Sequence, residues 1–375
     1  MTLIGIDASR AISTAPTGTE AYSYHLIRSL LPLLPSRYCA RLYFRSIPQH
    51  ISSLVPKGAA AESRVIPFPK LWTHLRLSWE MVRFPPDLLF VPAHVLPLLH
   101  PARTLVTVHD VGYRYFPDAH PPAQRYYLEW STYWNIRAAS HVLADSLATR
   151  DAIVDAYHVS KEKITVVYPG YDSDLAPVRD TQMLAEVRAC YAIPGDYILA
   201  LGRIQPRKNL VRLVEAFAQV LSTPQGADLT LVLAGPTGWL ADPILSRVRD
   251  LGLEDRVCIP GYVAAEDKAA LISGARVFAY PSLYEGFGFP ALEAQACEVP
   301  LLASETSSLP EVVGDGGLLV DPLDVSAITQ GLLRLLTDVD LCQRLCANGC
   351  KNLQRFSWNK TAQQVFGVMQ QLTEC

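Results

Sequence analysis

Two glutamates stand in a pattern that could hold a ligand. Glu285 and Glu293 are separated by seven residues, and a helix is predicted to begin between them at about Pro290, so that Glu293 falls on its first turn. The loop before it is rich in glycine, and such a helix start exposes backbone N–H groups at the positive end of the helix dipole. Acids placed there either cap the helix or hold the hydroxyl groups of a ligand whose phosphates the amides attract.

Two cations follow a buried strand in the same half of the chain. The strand Tyr197–Leu201 is predicted to run into a loop that carries Arg203 and Lys208, and a helix follows. A planar guanidinium and a long ammonium beside a helix start suit a diphosphate. The alternative, solvated surface cations, is less favoured because the strand end directs Arg203 toward the ligand-binding edge of the sheet. Arg207 has no such constraint and is left out of the predicted site.

A histidine and an aspartate end a strand in the first half of the chain. Thr104–Val108 is predicted to be a strand, and His109-Asp110 follows at its carboxyl end, where α/β sheets bind ligands. His109 would hydrogen-bond a substrate hydroxyl or present its backbone carbonyl to a reacting carbon. The alternative is that the pair caps the following loop, and the sequence favours neither.

A glycine lies between the first predicted strand and the first predicted helix. Leu3–Ile6 leads through the polar loop Asp7–Thr19, which contains Gly18, to a helix that is predicted to begin near Glu20. A strand, a glycine-containing loop and a helix start make an anion-binding arrangement. No GxGxxG is present, and an ordinary strand-to-helix connection is the favoured interpretation of this loop alone.

Predicted strands alternate with helices through the chain, which is the doubly wound α/β pattern. The further predicted strands are Ala40–Phe44, Leu88–Val91, His141–Ala144, Ile164–Val167, Leu229–Ala234, Val277–Tyr280, Pro300–Ala303 and Gly316–Pro322, and Val257–Val263 is predicted to be a strand and turn. A Pro-Gly-Asp cluster at Tyr168–Asp172 indicates an interdomain linker. We therefore predict an N-terminal domain over 1–172, a C-terminal domain over 173–355 and a helical tail over 356–375.

The composition narrows the class of protein. The chain has 375 residues, of which 50% are hydrophobic and 18% charged, and this suits two domains with buried cores. A net charge of −3 argues against nucleic acid as a main partner. The first residues lack the features of a signal peptide, and no apolar run reaches the length of about 18 residues that a membrane span needs. We expect a cytoplasmic protein, at most peripheral to a membrane.

Two side-chain stripes have competing interpretations. Trp72, Leu75, Trp79 and Val82 form an apolar stripe with basic neighbours, which is typical of the core face of a helix and less often of a helix on a membrane surface. Cysteines 342, 346 and 350 share one face of another predicted helix. Because a fourth ligand is lacking nearby, they are predicted to be buried core thiols rather than a metal site.

The order of these motifs resembles glycosyltransferase family 4, whose members are retaining enzymes of the GT-B fold that use nucleotide sugars. Taken alone, the pattern would fit a binding protein, a transferase or an epimerase that acts on an activated phosphate ester. The resemblance covers nearly the whole chain, and Trp79-Glu80 is similar to the mannosyltransferase-like branch. It rests on the Gly18 loop, His109-Asp110, Gly202-Arg203 with Lys208-Asn209-Leu210, Glu285-x7-Glu293, Pro260-Gly261-Tyr262-Val263, Ser308-Leu309-Pro310-Glu311 and Phe356-Ser357-Trp358.

The resemblance implies two Rossmann-like doubly wound domains that face a cleft, with the C-terminal helix crossing back to the N-terminal domain. It also implies a role for each matched residue. Arg203 and Lys208 would bind the donor diphosphate, as would the backbone at Gly18, although Thr17-Gly18-Thr19-Glu20 lacks the second glycine that many relatives have. The remaining implied donor contacts are Glu285 and the amides of Gly286, Phe287 and Gly288 to the sugar, Glu293 to the ribose, and His109 to the donor sugar, with its backbone close to the anomeric carbon. Asp110 is implied to bind the donor as well.

The implied function is transfer of a hexose, with mannose favoured, from a nucleotide sugar to a glycan or lipid-linked acceptor. GDP-mannose is the favoured donor, and cations beside a helix dipole would stabilise the departing diphosphate without a metal or other cofactor. Peripheral association with the inner face of a membrane is compatible with this function. The alternatives are a GT-B nucleotide-sugar epimerase or phosphorylase, or a catalytically silent nucleotide-sugar-binding subunit.

Overall fold

The computed structural model describes residues 1–12, 18–47, 51–93, 95–117, 120–238 and 240–374. The chain divides into two compact units. The N-terminal unit comprises Met1–Tyr115, Pro122–Gly170 and Phe356–Cys375, and the C-terminal unit comprises Phe116–Pro121 and Tyr171–Arg355. Residues 13–17 of the loop before Gly18 lie outside the described residues.

Seven parallel strands form the sheet of the N-terminal unit. They are β1 (Thr2–Asp7), β2 (Tyr38–Phe44), β3 (Ala61–Val65), β4 (Leu88–Val91), β5 (Thr104–Val108), β6 (His141–Ala144) and β7 (Ile164–Val166). Their order is β3-β2-β1-β4-β5-β6-β7. The direction of the order changes between β1 and β4, and open α/β sheets bind ligands at the carboxyl ends of the strands beside such a point.

The connections of this unit are mostly helical. The helices are α1 (Gly18–Leu30), α2 (Ile51–Leu54), α3 (Ser78–Arg83), α4 (Gly112–Tyr115), α5 (Pro122–Ala138) and α6 (Leu147–Tyr157), with 3₁₀ turns at Leu31–Leu33 and Lys161–Lys163 and a π-helical segment at Trp72–Leu77. Each face of the sheet has its own apolar core. In β4, Leu88 and Phe90 enter one core and Leu89 and Val91 the other, as expected when successive side chains of a buried strand alternate between faces.

The C-terminal unit repeats this plan with six parallel strands. They are β8 (Tyr197–Leu201), β9 (Thr230–Ala234), β10 (Val257–Gly261), β11 (Val277–Tyr280), β12 (Leu301–Ser304) and β13 (Leu318–Val320), in the order β10-β9-β8-β11-β12-β13. The helices are α7 (Thr181–Cys190), α8 (Leu210–Leu221), α9 (Asp242–Asp250), α10 (Ala265–Ser273), α11 (Phe289–Ala296), α12 (Leu309–Val313), α13 (Val325–Thr337) and α14 (Val339–Leu353). A 3₁₀ turn occupies Pro206–Lys208.

The last helix, α15 (Trp358–Glu374), packs in the N-terminal unit although it follows the C-terminal unit in sequence. Ala362, Val365 and Met369 are fully buried in the core that also contains residues of α1 and β1. Thr361 Oγ1 donates a hydrogen bond to the carbonyl of Tyr168 at 2.8 Å, which fixes the start of the helix to the end of the N-terminal segment.

The prediction that the tryptophan stripe faces the core is wrong for most of its members. Trp72 is buried and donates from Nε1 to the carbonyl of Ile66, but Leu75, Trp79 and Val82 are each more than half exposed. The prediction assumes an α-helix with 3.6 residues per turn, whereas the segment begins as a π-helix. Because a π-helix has wider turns, the later side chains are rotated away from the expected face.

The predicted cysteine stripe is also only partly buried. In α14 the core-facing residues are Leu341, Leu345 and Gly349, so that the cysteines stand one position further along the helix. Cys342 is half-buried against the core, and Cys350 is exposed. Among the described residues no group of three or more His, Cys, Asp and Glu side chains is placed to hold a metal ion.

Candidate active site

A buried carboxylate joins two cations in the C-terminal unit. Glu285, which is 6% exposed, accepts from Arg207 Nη1 at 2.6 Å through Oε2 and from Lys208 Nζ at 2.7 Å through Oε1. Burial alone would raise the pKa of Glu285, but the two cations outweigh it and hold that pKa at about 2. The carboxylate is therefore ionised throughout the physiological range. Two cations against one carboxylate leave an excess of positive charge.

Short loops after three strands position this cluster. The 3₁₀ turn that carries Arg207 and Lys208 separates β8 from α8, and it ends at Asn209, whose φ of 59° is left-handed. The buried Asn209 amide donates to the carbonyl of Pro281, after β11, at 3.0 Å and to that of Pro322, after β13, at 2.6 Å. Fixing all three loops through one buried amide makes the cluster rigid.

Two serines at the start of α12 hold the loop of Glu285. The Glu285 N–H donates to Ser307 Oγ at 3.0 Å. The buried Ser308 hydroxyl lies 2.9 Å from the carbonyl of Glu285 and 2.7 Å from that of Phe287. The sequence matched Ser308 as part of a motif without giving it a role, and the structure shows that it orders the glycine-rich loop.

Lys208 also contacts an aromatic ring. Its Nζ lies 3.0 Å from the hydroxyl of Tyr280, the last residue of β11, and 4.7 Å from the centre of the ring. This arrangement combines a hydrogen bond with a cation–π interaction. Burial raises the pKa of Tyr280 well above its usual value, so that the phenol stays neutral beside Glu285.

Arg207 belongs to this cluster although it was not among the predicted site residues. It was excluded because no strand end fixes its direction, yet it pairs with Glu285 and donates to the carbonyl of Tyr284. Its own carbonyl accepts from the Leu283 N–H at 2.9 Å. These partners lie some 77 residues away in sequence, so only the tertiary fold identifies them.

Arg203 is exposed, but its loop is largely buried and packs closely against the loop after β9. A Cβ added at Gly235, whose φ is +138°, would lie 2.2 Å from the carbonyl oxygen of Gly202, and one at Gly238 would lie 2.9 Å from the stem of Arg203. Only glycine permits this approach. The backbone on both sides of Arg203 is thus held firmly.

The second glutamate of the pattern is paired with a lysine. Glu293 Oε1 lies 2.9 Å from Nζ of Lys268 on α10, and both side chains are partly buried. Burial alone would lower the pKa of Lys268, but Glu293 raises it. The prediction that Glu293 stands on the first turn of its helix is wrong, since α11 begins at Phe289 and has no acidic residue in that turn.

The glycine-rich loop ends in a backbone conformation that requires glycine. Gly288 precedes α11 with a φ of +108°, and a Cβ there would lie 2.7 Å from Leu309. No side chain caps the start of α11 among the described residues. Gly286, Phe287 and Gly288, whose amides were predicted to be exposed, lie beside this helix start, but all three residues are buried.

His109 follows β5 in the N-terminal unit and uses both ring nitrogens inside that unit. Nδ1 lies 2.6 Å from the buried carboxylate of Asp145, and Nε2 lies 3.0 Å from the carbonyl of Pro92. Because a carbonyl only accepts, Nε2 carries a hydrogen. Burial alone would lower the pKa of His109, but Asp145 and Asp110 raise it. The ring of Tyr22 packs edge-on against the imidazole at 4.7 Å.

The other two predicted residues of this unit are helix-start residues. Asp110 Oδ1 accepts from the Gly112 N–H at 2.8 Å at the beginning of α4, which is the capping role that the sequence left open. Gly18 is the first residue of α1, which begins two residues earlier than predicted.

Two family models divide the chain between them. The model described as Glycosyltransferase Family 4 matches residues 17–175, and the model described as Glycosyl transferases group 1 matches residues 193–352. O-antigen chain mannosyltransferase B of Escherichia coli is 34% identical over 266 residues, which cover 71% of this chain and 70% of that protein. The chain is a family 4 glycosyltransferase.

Other proteins similar to this glycosyltransferase agree with that assignment. O-antigen chain mannosyltransferase RfbU of Salmonella typhimurium is 30% identical over 62% of the chain and 60% of its own length. The chain covers only 32% of the serotype-specific mannosyltransferase WbdA of Escherichia coli, at 26% identity. Among solved structures, HepE of Anabaena in complex with UDP-glucose has a TM-score of 0.75 at 19% identity and covers 99% of this chain and 100% of its own. The fold is GT-B, as the resemblance implied.

The predicted site residues are distributed over both units. In the C-terminal unit Lys208 and Glu285 meet directly, with Arg207 added, whereas Glu293 pairs with Lys268. In the N-terminal unit His109, Asp110 and Gly18 lie just beyond the carboxyl ends of their strands or at the following helix start. No helix in the described part of the chain is long and apolar enough to cross a bilayer.

Proposed function

We propose that this glycosyltransferase transfers a mannosyl residue from a nucleotide sugar, with GDP-mannose favoured, to a glycan or lipid-linked acceptor with retention of configuration. The observation that carries the proposal is the cluster in which Arg207 and Lys208 pair with the buried Glu285. Its excess positive charge is fixed before substrate arrives, which is what a departing nucleoside diphosphate requires. The mannose assignment is supported by relatives described as O-antigen chain mannosyltransferases.

Different residues of the C-terminal unit would bind different parts of the donor. Arg203 and Lys208 would bind the diphosphate, and Arg207 would hold Glu285 in place. Glu285 would accept hydrogen bonds from hydroxyls of the sugar, helped by the amides of 286–288. Glu293 would accept from the ribose hydroxyls beside its ion pair with Lys268.

The residues of the N-terminal unit would act mainly through their backbone. Because Asp145 and Pro92 occupy both ring nitrogens of His109, the imidazole is a poor general base, and its peptide group is the better candidate to approach the sugar. Asp110 and the backbone at Gly18 would add further donor contacts. The acceptor proton would then pass to the leaving phosphate, so that no protein base is required.

Incubation with radiolabelled GDP-mannose, UDP-sugars and ADP-sugars, with and without candidate acceptors, tests this proposal. We expect transfer only when an acceptor is present, activity in excess EDTA, and lost donor affinity in Lys208→Ala with normal affinity in the control Lys57→Ala. An epimerase would convert the donor without acceptor, and a phosphorylase would need inorganic phosphate. Donor binding without any turnover would indicate a silent binding subunit.

An exposed apolar face in the N-terminal unit supports peripheral membrane association. Leu75, Trp79 and Val82 are 51%, 59% and 56% exposed on one side of the segment Trp72–Arg83, and Arg83 lies beside them. Apolar residues with basic neighbours are typical of helices that lie in the membrane interface.

Flotation with vesicles that contain anionic lipid tests the association. We expect the protein to float with these vesicles, and Trp79→Ser to lose binding while a surface variant elsewhere, Tyr262→Ser, keeps it. Equal flotation of both variants would contradict a role for this face. Donor binding should be unchanged in either variant.

A further inference from the structure

The start of α6 lies beside His109 at the carboxyl edge of the N-terminal sheet. β5 and β6 are neighbouring parallel strands, and Val108 at the end of β5 is paired with Ala144 at the end of β6. His109 and Asp145 are the residues that directly follow these two strands, and the N-cap residue of α6 comes next. One helix start is therefore placed to contact both the ring and the backbone of His109.

The carboxylate of Asp145 holds the imidazole ring. Nδ1 of His109 lies 2.6 Å from Asp145 Oδ2, and Nε2 donates to the carbonyl of Pro92 at 3.0 Å. Because two facing lone pairs would repel each other, the short contact at Nδ1 contains a proton, on the imidazole or on the carboxyl group. The pair has no net charge in either case. A ring that is bonded at both nitrogens, with Tyr22 packed edge-on against it, has a fixed orientation.

The side chain of Thr149 contacts the backbone of His109. Thr149 is fully buried, and its hydroxyl donates to the carbonyl oxygen of His109 at 3.3 Å. The hydroxyl of Ser146 donates to Thr149 Oγ1 at 3.0 Å, so that two hydroxyls and the carbonyl form one chain of hydrogen bonds. Because a carbonyl oxygen has two lone pairs, an oxygen that is bonded to Thr149 can still face a ligand.

Capping of the helix does not require a hydroxyl at position 149. Ser146 is the N-cap, and its Oγ accepts from the Thr149 N–H at 3.0 Å, which every residue type except proline could supply. A buried hydroxyl costs free energy unless it is hydrogen-bonded, whereas valine would fill nearly the same space without that cost. The hydrogen bond from Thr149 to the His109 carbonyl is therefore a feature of this site beyond the cap.

We propose that Asp145 and Thr149 are positioning residues for the transfer reaction: Asp145 fixes the imidazole of His109, and Thr149 fixes the direction of its backbone carbonyl. The proposal rests on the function proposed above, in which the peptide group of His109 approaches the donor sugar. Positive charge develops at the anomeric carbon as the nucleotide leaves, and a carbonyl oxygen held beside that carbon stabilises it. Because both side chains act through His109, their loss lowers kcat and leaves donor affinity unchanged.

Steady-state kinetics with GDP-mannose and the acceptor that supports transfer test Thr149. We expect Thr149→Val, which removes the hydroxyl and keeps the shape, to lower kcat about ten- to a hundredfold while the KM for the donor stays within about twofold. Thr149→Ser, which keeps the hydroxyl, should retain most of the kcat. A normal kcat in Thr149→Val, or an equal loss of kcat in the two variants, would overturn the proposal.

Thr230→Val is the matched control for these kinetics. Thr230 is also buried, and its hydroxyl donates to a single backbone carbonyl, that of Pro194, at the amino end of β9 in the C-terminal unit. The substitution removes the same kind of hydrogen bond at the edge of a sheet that is remote from the strand ends of the site. We expect kcat and KM to stay normal, and a loss of kcat equal to that in Thr149→Val would overturn the assignment to Thr149.

Two substitutions at Asp145 distinguish orientation of the ring from proton transfer. The amide of Asp145→Asn can donate to Nδ1 while Nε2 still donates to Pro92, so that the ring keeps its orientation. We expect this variant to retain most of the kcat, whereas Asp145→Ala, which leaves Nδ1 without this partner, should lose about tenfold or more. If Asp145→Asn lost as much activity as Asp145→Ala, the charge of the carboxylate would be required and its positioning role would be overturned.

The carbonyl of His109 can also be observed without turnover. His109-Asp110 is the only His-Asp sequence in the chain, so labelling with ¹³C-carbonyl histidine and ¹⁵N-aspartate selects the NMR signal of this one carbonyl. Because loss of a hydrogen bond moves a carbonyl ¹³C signal upfield, we expect that shift in Thr149→Val and not in Thr149→Ser or Thr230→Val. An unmoved signal in Thr149→Val would overturn the proposal even in an active enzyme. If the unaltered protein turned over no nucleotide sugar, the function proposed above would fail, while an upfield shift confined to Thr149→Val would still support the positioning of the carbonyl by Thr149.

Discussion

Glu285 holds two cations that would otherwise repel each other in a partly buried site. Its pKa of about 2 in the folded protein lies below the ordinary value of 4.5, so that its ionisation stabilises the folded state above pH 4.5. That contribution is lost as the pH falls from about 4.5 toward 2. A shift of this size corresponds to about 3 kcal/mol of the free energy of unfolding.

We therefore expect Glu285→Gln to lower the free energy of unfolding by about 3 kcal/mol at pH 7, with a smaller difference near pH 3. Chemical unfolding followed across this range measures the effect. Glu298→Gln, which removes a carboxylate from an exposed ion pair with Arg179, is the control and should change stability by less than about 1 kcal/mol. Equal effects of the two substitutions would mean that the buried cluster is not coupled as described.

Asp7, the last residue of β1, has a raised pKa, in contrast to the lowered pKa of Glu285. It is 1% exposed, its Oδ2 has no hydrogen-bond partner among the described residues, and burial raises its pKa to about 6 despite the nearby Ser9 and Arg10. Below about pH 3 the group is neutral in both folded and unfolded chains. As the pH rises to about 6 the unfolded chain ionises first, so that the folded state loses stability.

Asp7→Asn keeps the neutral form at every pH. We expect it to stabilise the protein relative to the unaltered chain by up to about 3 kcal/mol at pH 7, with the difference vanishing near pH 3. Thermal unfolding at a series of pH values checks this, with the exposed Asp228→Asn as control. A stability difference that does not change with pH would contradict the raised pKa.

At the scale of elements, the loops after parallel strands determine where the cations stand. The loop after β8 approaches the loop after β9 so closely that Gly235 cannot carry a side chain. Gly252 has a left-handed φ of +63° as well, but a Cβ there would meet nothing within 4 Å. Alanine substitutions at these two glycines therefore distinguish two contributions to the free energy of unfolding: the cost of a strained backbone conformation and the cost of a steric clash.

We expect Gly252→Ala to cost only about 1–2 kcal/mol, the penalty for a left-handed residue with a side chain. Gly235→Ala should cost more than this, because the new methyl group would displace the loop of Arg203, and it should also weaken donor binding. Urea unfolding and calorimetric titration with GDP-mannose measure the two effects. If both variants were equally stable and bound equally well, the close approach of these loops would have no functional consequence.

At the scale of the whole molecule, the last helix belongs to the first unit. Met369 of α15 is fully buried among residues of the N-terminal core. We expect Met369→Ala to destabilise that unit by about 2–5 kcal/mol, as is usual when a large core side chain is truncated. The exposed Met183→Ala in α7 is the matched control and should have little effect.

Hydrogen exchange resolved along the chain is the suitable measurement, because a two-unit protein need not unfold in one step. Met369→Ala should raise exchange in β1, β2 and α1, with β8 and β11 protected as before. Increased exchange confined to the C-terminal unit would show that α15 is not part of the N-terminal core.

Much of the architecture could be predicted from the sequence, because buried parallel strands are continuous apolar runs. Leu88–Val91, Thr104–Val108 and His141–Ala144 have the predicted bounds. The edge strand β3 was missed, since its three central residues are exposed and polar and thus lack that signal. The predicted burial of the tryptophan stripe was wrong for a related reason, because a π-helix does not have the 3.6-residue period that the prediction assumed.

The sequence by itself determined the fold and the family, since ordered motifs at strand ends and helix starts are local patterns. It also located Lys208 and Glu285, which lie in such motifs. Only the tertiary structure decided their partners: Arg207 beside Glu285, Lys268 beside Glu293, and Asp145 beside His109. These pairs join loops or helices that are 25 to 78 residues apart in sequence. The packing of the strands into a sheet brings these residues together, and no local sequence pattern predicts such contacts.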